Sequence, residues 1–256
     1  MNFRSFIFSM IFPVFNLLAA DNLPERCSDK RGGVALSPYI TSQYRGESFA
    51  NASEVFNNFC QFFCGPMYSG KTSKLIKNYL FLKRIDYVTI IITVANDKKS
   101  GVKMVASRDL NLPLQILNAE VEFDRSTNML EVLNSFLNKY ESKVAFLIDE
   151  AQFLTEKQAE DVCHAAKNLN FSINLFGLDY DFRRIVFEGT KVFLDSGIFK
   201  KQQMYSTCDR CGGKAVYTMR IDQEGKGVFE GEVKQIGDNY KAVCDECFSY
   251  FYTLSI

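Results

Sequence analysis

Tryptophan is absent from the 256-residue chain, histidine occurs once, and the charges cancel, with 30 Lys plus Arg against 30 Asp plus Glu. Neutrality removes any bulk attraction to a phosphate backbone, so nonspecific nucleic-acid binding is not the default role, although a local site can still be basic. The single histidine, His164, excludes every site that needs two imidazoles. It lies in the polar, helical stretch EDVCHAAKN and reads as a surface helix residue. Long hydrophobic runs are also scarce. The apolar stretch Phe6 to Leu18 is interrupted by Pro13 and falls short of the roughly 20 residues of a membrane-spanning helix. Eight cysteines are too sparse for a disulfide scaffold, which is short and cysteine-dense, so their spacing matters more than their number. The remainder is ordinary for one large or two small globular domains: 47% hydrophobic and 23% charged, neither disordered nor collagenous nor a membrane bundle.

Residues 1–20, MNFRSFIFSMIFPVFNLLAA, have one Arg near the start, no acid and a small pair, Ala19-Ala20. That is the outline of a secretory signal peptide removed by cleavage. An apolar extension, or a start chosen too far upstream, fits the same residues. Residues 21–55 read as a linker broken by Gly32-Gly33, Pro38 and Gly46, and Asn51-Ala52-Ser53 matches a glycosylation acceptor on three residues only.

From residue 56 onward, strand and helix alternate. Strands are expected at 59–64, 87–94, 114–117, 144–148 and 171–176, and helices at 73–84, 128–140 and 156–169. This order predicts an α/β domain over 56–203 with a mostly parallel sheet covered by helices on both faces. The uninterrupted runs YVTIIITV and VAFLI suit central strands. After residue 203 the texture changes to cysteine pairs, glycines and short polar–apolar alternation, which predicts a small second domain over 204–256.

Gly65-Pro66-Met67-Tyr68-Ser69-Gly70-Lys71-Thr72 matches G-x-x-x-x-G-K-[ST] between an expected strand and an expected helix, as a phosphate-binding loop requires. Glycines let backbone N–H groups turn toward phosphate oxygens, and the helix presents its positive end. Lys71 would neutralise the β- and γ-phosphates, and the Thr72 hydroxyl would ligate Mg2+. The strand at 144–148 ends in Asp149-Glu150. Asp149 is the expected metal-side carboxylate, acting through water. If strand geometry persists, Glu150 points to the opposite side, toward an acceptor hydroxyl, where a general base belongs.

Cys208-x-x-Cys211 and Cys244-x-x-Cys247, with 32 residues between the pairs, offer four thiolates. A closed tetrahedral zinc is expected in preference to two disulfides or a redox pair. Cys27, Cys60, Cys64 and Cys163 carry no assigned role, and Cys60 and Cys64 read as core-strand residues.

Taken together, FFCGPMYSGKTSKLI, FLIDEAQFL, LFGLDYDFRRIVFEG and the two cysteine pairs with Tyr240 four residues before Cys244 resemble the type II thymidine kinases shared by animal cytosol, many bacteria and poxviruses. The likeness covers residues from about 59 to 248. It implies a RecA-like P-loop fold with a zinc-tied lasso, and transfer of the ATP γ-phosphate to the 5′-hydroxyl of thymidine, and of deoxyuridine, to give dTMP in pyrimidine salvage. By resemblance, residues 65–72 with Asp149 and Gln152 would form the ATP and Mg2+ site, and Glu150 would take the hydroxyl proton. Met67, Leu178, Phe182 and Phe187 would wall the thymine pocket, while Val233 and Tyr240 would close over it from the lasso. The zinc would be structural. The resemblance further implies a homotetramer with no nucleic-acid or membrane partner. It also implies a cytoplasmic enzyme, with organelle or secretory targeting by residues 1–20 as the alternative. Three departures stand out: Lys99 near a position where some members carry Arg; a lasso, Gln235–Tyr240, shorter than the family's Ile-Gly-Gly pattern; and the signal-like leader, since ATP, Mg2+ and reduced zinc thiolates belong to an intracellular compartment. A nucleic-acid-binding ATPase with a zinc ribbon is disfavoured by the even mixture of acids and bases over 208–247. The presence of Glu150 argues against a noncatalytic nucleotide binder.

Overall fold

The apolar strand runs assemble side by side. The computed structural model describes residues 60–95, 104–107, 116–137, 139–140, 143–169, 171–233 and 239–255, all within one compact unit spanning 51–256. The expected leader and linker, Cys27, the Asn51 acceptor, Lys99 and loop residues 235–238 lie outside the described residues.

Six strands form one sheet: β1 (Gln61–Cys64), β2 (Val88–Val94), β5 (Val121–Phe123), β6 (Val144–Ile148), β7 (Ser172–Gly177) and β8 (Lys200–Gln203). Their order is β5-β2-β6-β7-β1-β8, and every pairing is parallel. All five residues of β6 are buried, as a parallel strand covered on both faces demands. Alternate side chains feed two cores. On one face Phe62, Ile92, Phe146 and Leu175 pack with residues of α2 (Met129–Leu137), α3 (Glu156–Asn168) and α4 (Glu188–Asp195). On the other, Phe63, Ile91, Leu147 and Phe176 pack with Leu75 and Ile76 of α1 (Lys71–Arg84).

The expected strand at 114–117 is displaced. Ile116–Asn118 forms β4, which pairs antiparallel with β3 (Met104–Ala106) in a separate two-stranded ribbon; the edge of the main sheet is β5. Each ribbon strand has three residues and buries only its middle one, Val105 or Leu117, too short a pattern for periodicity to register. Of the unassigned cysteines, Cys60, Cys64 and Cys163 are buried in the core. His164 is exposed on α3, within hydrogen-bond distance of Asn168.

Beyond β8 the chain forms a smaller lobe. A hairpin of β9 (Ser206–Thr207) and β10 (Lys214–Ala215) leads into a three-stranded antiparallel sheet in the order β12-β11-β13, built from β11 (Tyr217–Ile221), β12 (Gly227–Val228) and β13 (Tyr240–Val243). Helix α5 (Asp245–Ser255) closes it. Its core is modest: Ala215, Met219, Ala242, Val243 and Phe248 around Cys208 and Cys247. Among the described residues, no helix is long and apolar enough to cross a membrane.

Candidate active site

Strands β6, β7 and β1 are neighbours, so the loops after their carboxyl ends converge, which is where parallel α/β sheets bind ligands. After β1 comes the glycine loop. Tyr68 and Gly70 both take left-handed backbone (φ 62° and 79°), curling the chain before α1. Helix α1 begins with no side-chain cap and no acid in its first turn, whereas α3 opens on a full capping box made by Thr155 and Gln158. The uncapped N–H groups of α1, with its dipole, suit a phosphate.

Lys71 Nζ donates to Gly65 O (3.1 Å), Pro66 O (2.7 Å) and Ser69 Oγ (3.3 Å), so the ammonium sits within the curve of the loop. Burial pulls Lys71 below its ordinary range, opposed by the carboxylates of Glu150, Asp149 and Asp179. Gly65 is fixed by close approach, because a Cβ there would lie 2.2 Å from Met204 O. Gly65→Ala is therefore expected to cost about 1–3 kcal/mol of stability as overpacking. The check is a lower urea midpoint at unchanged slope; an unmoved midpoint would mean that the chain after β8 yields freely.

After β6 comes Asp149-Glu150. Asp149 is buried, and its N–H donates to Ile92 O at 2.8 Å. Burial first, and then the Glu150 charge, push its carboxyl up to about 7. The strand geometry assumed for Glu150 does not persist: β6 ends at Ile148, and Glu150 adopts left-handed backbone (φ 53°, ψ 36°). This conformation is unfavourable by about 1–2 kcal/mol for a residue with a side chain, and such outliers cluster at functional sites. Gln152 holds the result. It is buried; its Nε2 donates to Glu150 Oε2 at 2.6 Å, and its Oε1 accepts from Leu178 N at 3.0 Å. With the amide oxygen engaged by a backbone N–H, only its NH2 can face the carboxylate. The Gln152 side chain thus joins the loop after β6 to the loop after β7.

A cleft of about 730 Å³ runs between these loops. Met67, Tyr68, Ser69, Gly70, Lys71 and Thr72 line one end; Gly65 and Pro66 are buried and do not line it, reaching it only through the carbonyls that accept from Lys71. Met67, Leu178, Phe182, Phe187, Val233 and Tyr240 all line the same cleft, as do Glu150 and Gln152. Ser73, Ala106, Ser107, Phe153, Tyr180, Asp181 and Thr218 also line it, and sequence reasoning missed these seven. The smaller lobe is fastened to the phosphate loop at two points: Met67 N donates to Thr218 Oγ1 at 2.8 Å, and Ser206 Oγ donates to Tyr68 O at 3.2 Å.

The sulfurs of Cys208, Cys211, Cys244 and Cys247 all lie within 4.8 Å of one another. Cys211 and Cys244 are 3.7 Å apart, far beyond the about 2.05 Å of a disulfide and close to the edge of about 3.8 Å in a tetrahedron with metal–sulfur bonds of about 2.3 Å. The cluster could therefore hold a metal ion.

Comparison with known proteins agrees with this geometry. Residues 58–248 match the family model described as thymidine kinase. The chain belongs to the thymidine kinase family. The thymidine kinase of Haemophilus influenzae strain 86-028NP is 31% identical over 185 residues, covering 72% of this chain and 92% of the relative. Those of Shouchella clausii and Lactiplantibacillus plantarum are 32% and 35% identical, each covering 73% of this chain and 93% of the relative. Membership in the thymidine kinase family makes the chain an ATP-dependent phosphotransferase, and the family's reaction is phosphorylation of thymidine to dTMP. Four of the cleft residues missed from sequence carried a usable signal, since Ser73, Phe153, Tyr180 and Asp181 fall inside the thymidine kinase segments FFCGPMYSGKTSKLI, FLIDEAQFL and LFGLDYDFRRIVFEG. Thr218 carried none, because a threonine in a two-faced strand looks like any other.

Proposed function

We propose that the cleft transfers the γ-phosphate of ATP to the 5′-hydroxyl of thymidine, and of deoxyuridine, with Glu150 as general base. The observation that carries this reading is a single cavity with a phosphate loop at one end, the apolar side chains of Met67, Leu178, Phe182, Phe187 and Val233 further along, and the Glu150 carboxylate lining it as well; the other lining carboxylate, Asp181, is engaged by the Arg183 guanidinium. Phosphoryl transfer asks mainly for positioning and charge stabilisation. Backbone N–H groups of the loop and the start of α1 would hold the triphosphate, and Lys71 would meet the charge on its β- and γ-oxygens. The apolar walls would orient a flat base and exclude water, and Glu150 would accept the hydroxyl proton as the oxygen attacks. The left-handed turn and the Gln152 bond keep that carboxylate as an acceptor aimed into the cleft.

Hard oxygen donors suit Mg2+: the Thr72 hydroxyl and the Asp149 carboxylate would hold the ion, which when bound neutralises phosphate charge. Four thiolates suit zinc, which would act structurally, fixing the lobe that supplies Val233 and Tyr240. The organisation that goes with this reading is a leader over 1–20, a linker over 21–55, a transfer domain over 56–203 and a lasso domain over 204–256. The assembly is a cytoplasmic homotetramer, whose four-chain mass light scattering would read.

Transfer from labelled ATP tests the function. Thymidine and deoxyuridine are expected to be labelled, and deoxycytidine and single-stranded DNA not. Labelling of none of the four would overturn the proposal, and ATP hydrolysis stimulated only by DNA would replace it with a nucleic-acid-dependent ATPase.

A further inference from the structure

Strand β11 carries a full positive charge inward. Arg220 is only 7% exposed, and among the described residues no carboxylate pairs with it. A buried guanidinium must find acceptors, and here they are main-chain carbonyls: Nη1 donates to Glu232 O at 2.9 Å and Nη2 to Glu230 O at 2.5 Å. Between those two residues Gly231 has φ +105°, and a Cβ on it would lie 2.8 Å from Arg220 Nη2. The chain from 230 to 232 is therefore wrapped around the guanidinium, with a glycine at the point where a side chain would collide.

Three walls of the cleft meet at this one side chain. The residue after Glu232 is Val233, which lines the cleft. The guanidinium lies over the ring of Phe182, 4.1 Å from its centroid, and Phe182 lines the cleft from the loop after β7. In the β11–β13 register, Arg220 stands opposite Tyr240, the third wall residue. Phe182 comes from the larger body and the other two from the smaller lobe, so nothing in the chain's order brings them together. A planar fork can span two carbonyls and stack on a ring at once, which the ammonium of Lys cannot do.

We propose that Arg220 is a positioning residue of the nucleoside subsite, holding the 230–233 segment against Phe182 so that Val233, Phe182 and Tyr240 keep the spacing of a flat base. The proposal rests on the nucleoside-kinase reading above. The hydrogen bonds of the Arg220 side chain go to Glu230 and Glu232 and, among the described residues, none goes to the phosphate loop or to Glu150, so it acts on nucleoside affinity and leaves ATP and the transfer step alone.

The test uses the full-length enzyme and steady-state kinetics with thymidine and ATP varied separately. Arg220→Met keeps the apolar stem and loses the donors. It is expected to raise KM for thymidine at least roughly tenfold, since two charge-assisted hydrogen bonds are lost, with kcat and KM for ATP within about twofold of the parent. Arg220→Lys is expected to recover part of that loss. Gly231→Ala attacks the same contact from an exposed loop, and because φ +105° there also strains any side chain, its urea midpoint is measured beside its kinetics. It should reproduce the thymidine effect, and Arg220→Met combined with Gly231→Ala should raise KM by less than the product of the two single effects, since both break the same contact. An active parent whose Arg220→Met and Gly231→Ala forms keep its KM overturns the positioning role alone. Equal damage to kcat and to KM for ATP also overturns it, because that is a general loss of structure. A parent that labels no thymidine overturns the functional reading, and this role with it.

Discussion

Glu150→Gln is expected to lower thymidine phosphorylation by about 10²–10⁴-fold, the usual contribution of a positioned base, while ATP and thymidine still bind. The amide is nearly the same size and shape as the carboxylate, so the left-handed turn at residue 150 and the cleft around it are kept. It can still accept from Gln152 Nε2, the 2.6 Å bond that orients the side chain, but it cannot accept a proton from the attacking hydroxyl. The loss should therefore fall on kcat and not on either binding constant measured by calorimetry. Full activity in Glu150→Gln would remove the residue from the role, and loss of both binding constants would mark it as structural.

Cys208→Ser is the second large effect. The lobe beyond β8 has a core of few apolar side chains around its cysteines, so a bound metal would supply much of what holds it; apparent binding energies of structural zinc run to about 10–16 kcal/mol at neutral pH. The variant is expected to carry less than one equivalent of zinc by mass spectrometry, to melt at lower temperature and to show a raised KM for thymidine. The route to the cleft is short. Arg184, in the loop after β7, lies over the rings of both Tyr217 and Phe248, 3.8 and 4.3 Å from their centroids, and donates to Asp245 at the start of α5, one residue after Cys244. Disturbing the cysteine cluster therefore disturbs the loop that carries Leu178 and Phe182. One full equivalent of zinc persisting in Cys208→Ser would refute the ligand assignment.

The parts of the molecule readable from sequence are those whose chemistry dictates residue type at fixed spacing. The loop at 65–72, the Asp149-Glu150 pair and the two cysteine pairs stand on this footing, and the buried runs at 88–94 and 144–148 stood out because a two-sided parallel strand leaves no polar interruption. The β3–β4 ribbon and β5 were not readable, since three residues with one buried carry no period. Strand β8 was hidden differently: KKQQ has no apolar residue and belongs to the sheet through backbone pairing to β1 at an edge. For Glu150 the premise failed although the residue does line the cleft: β6 ends two residues earlier, and a left-handed turn, with Gln152 bridging to the loop after β7, replaces the strand geometry that the sequence suggested. Arg220 escaped notice for a related reason, as arginine is a surface residue by default and only its pairing with two carbonyls from the same lobe makes its burial tolerable.

The two bonds that fasten the smaller lobe to the phosphate loop, at Met67 N and Tyr68 O, make Met67 a shared strut: its backbone is moored to β11 while its side chain lines the cleft. Met67 is thereby in contact with both the phosphate loop it belongs to and the lobe that supplies Val233 and Tyr240. Whatever factor a seated triphosphate applies to the affinity for the acceptor, the acceptor must return to the triphosphate, since linkage between two binding equilibria is reciprocal.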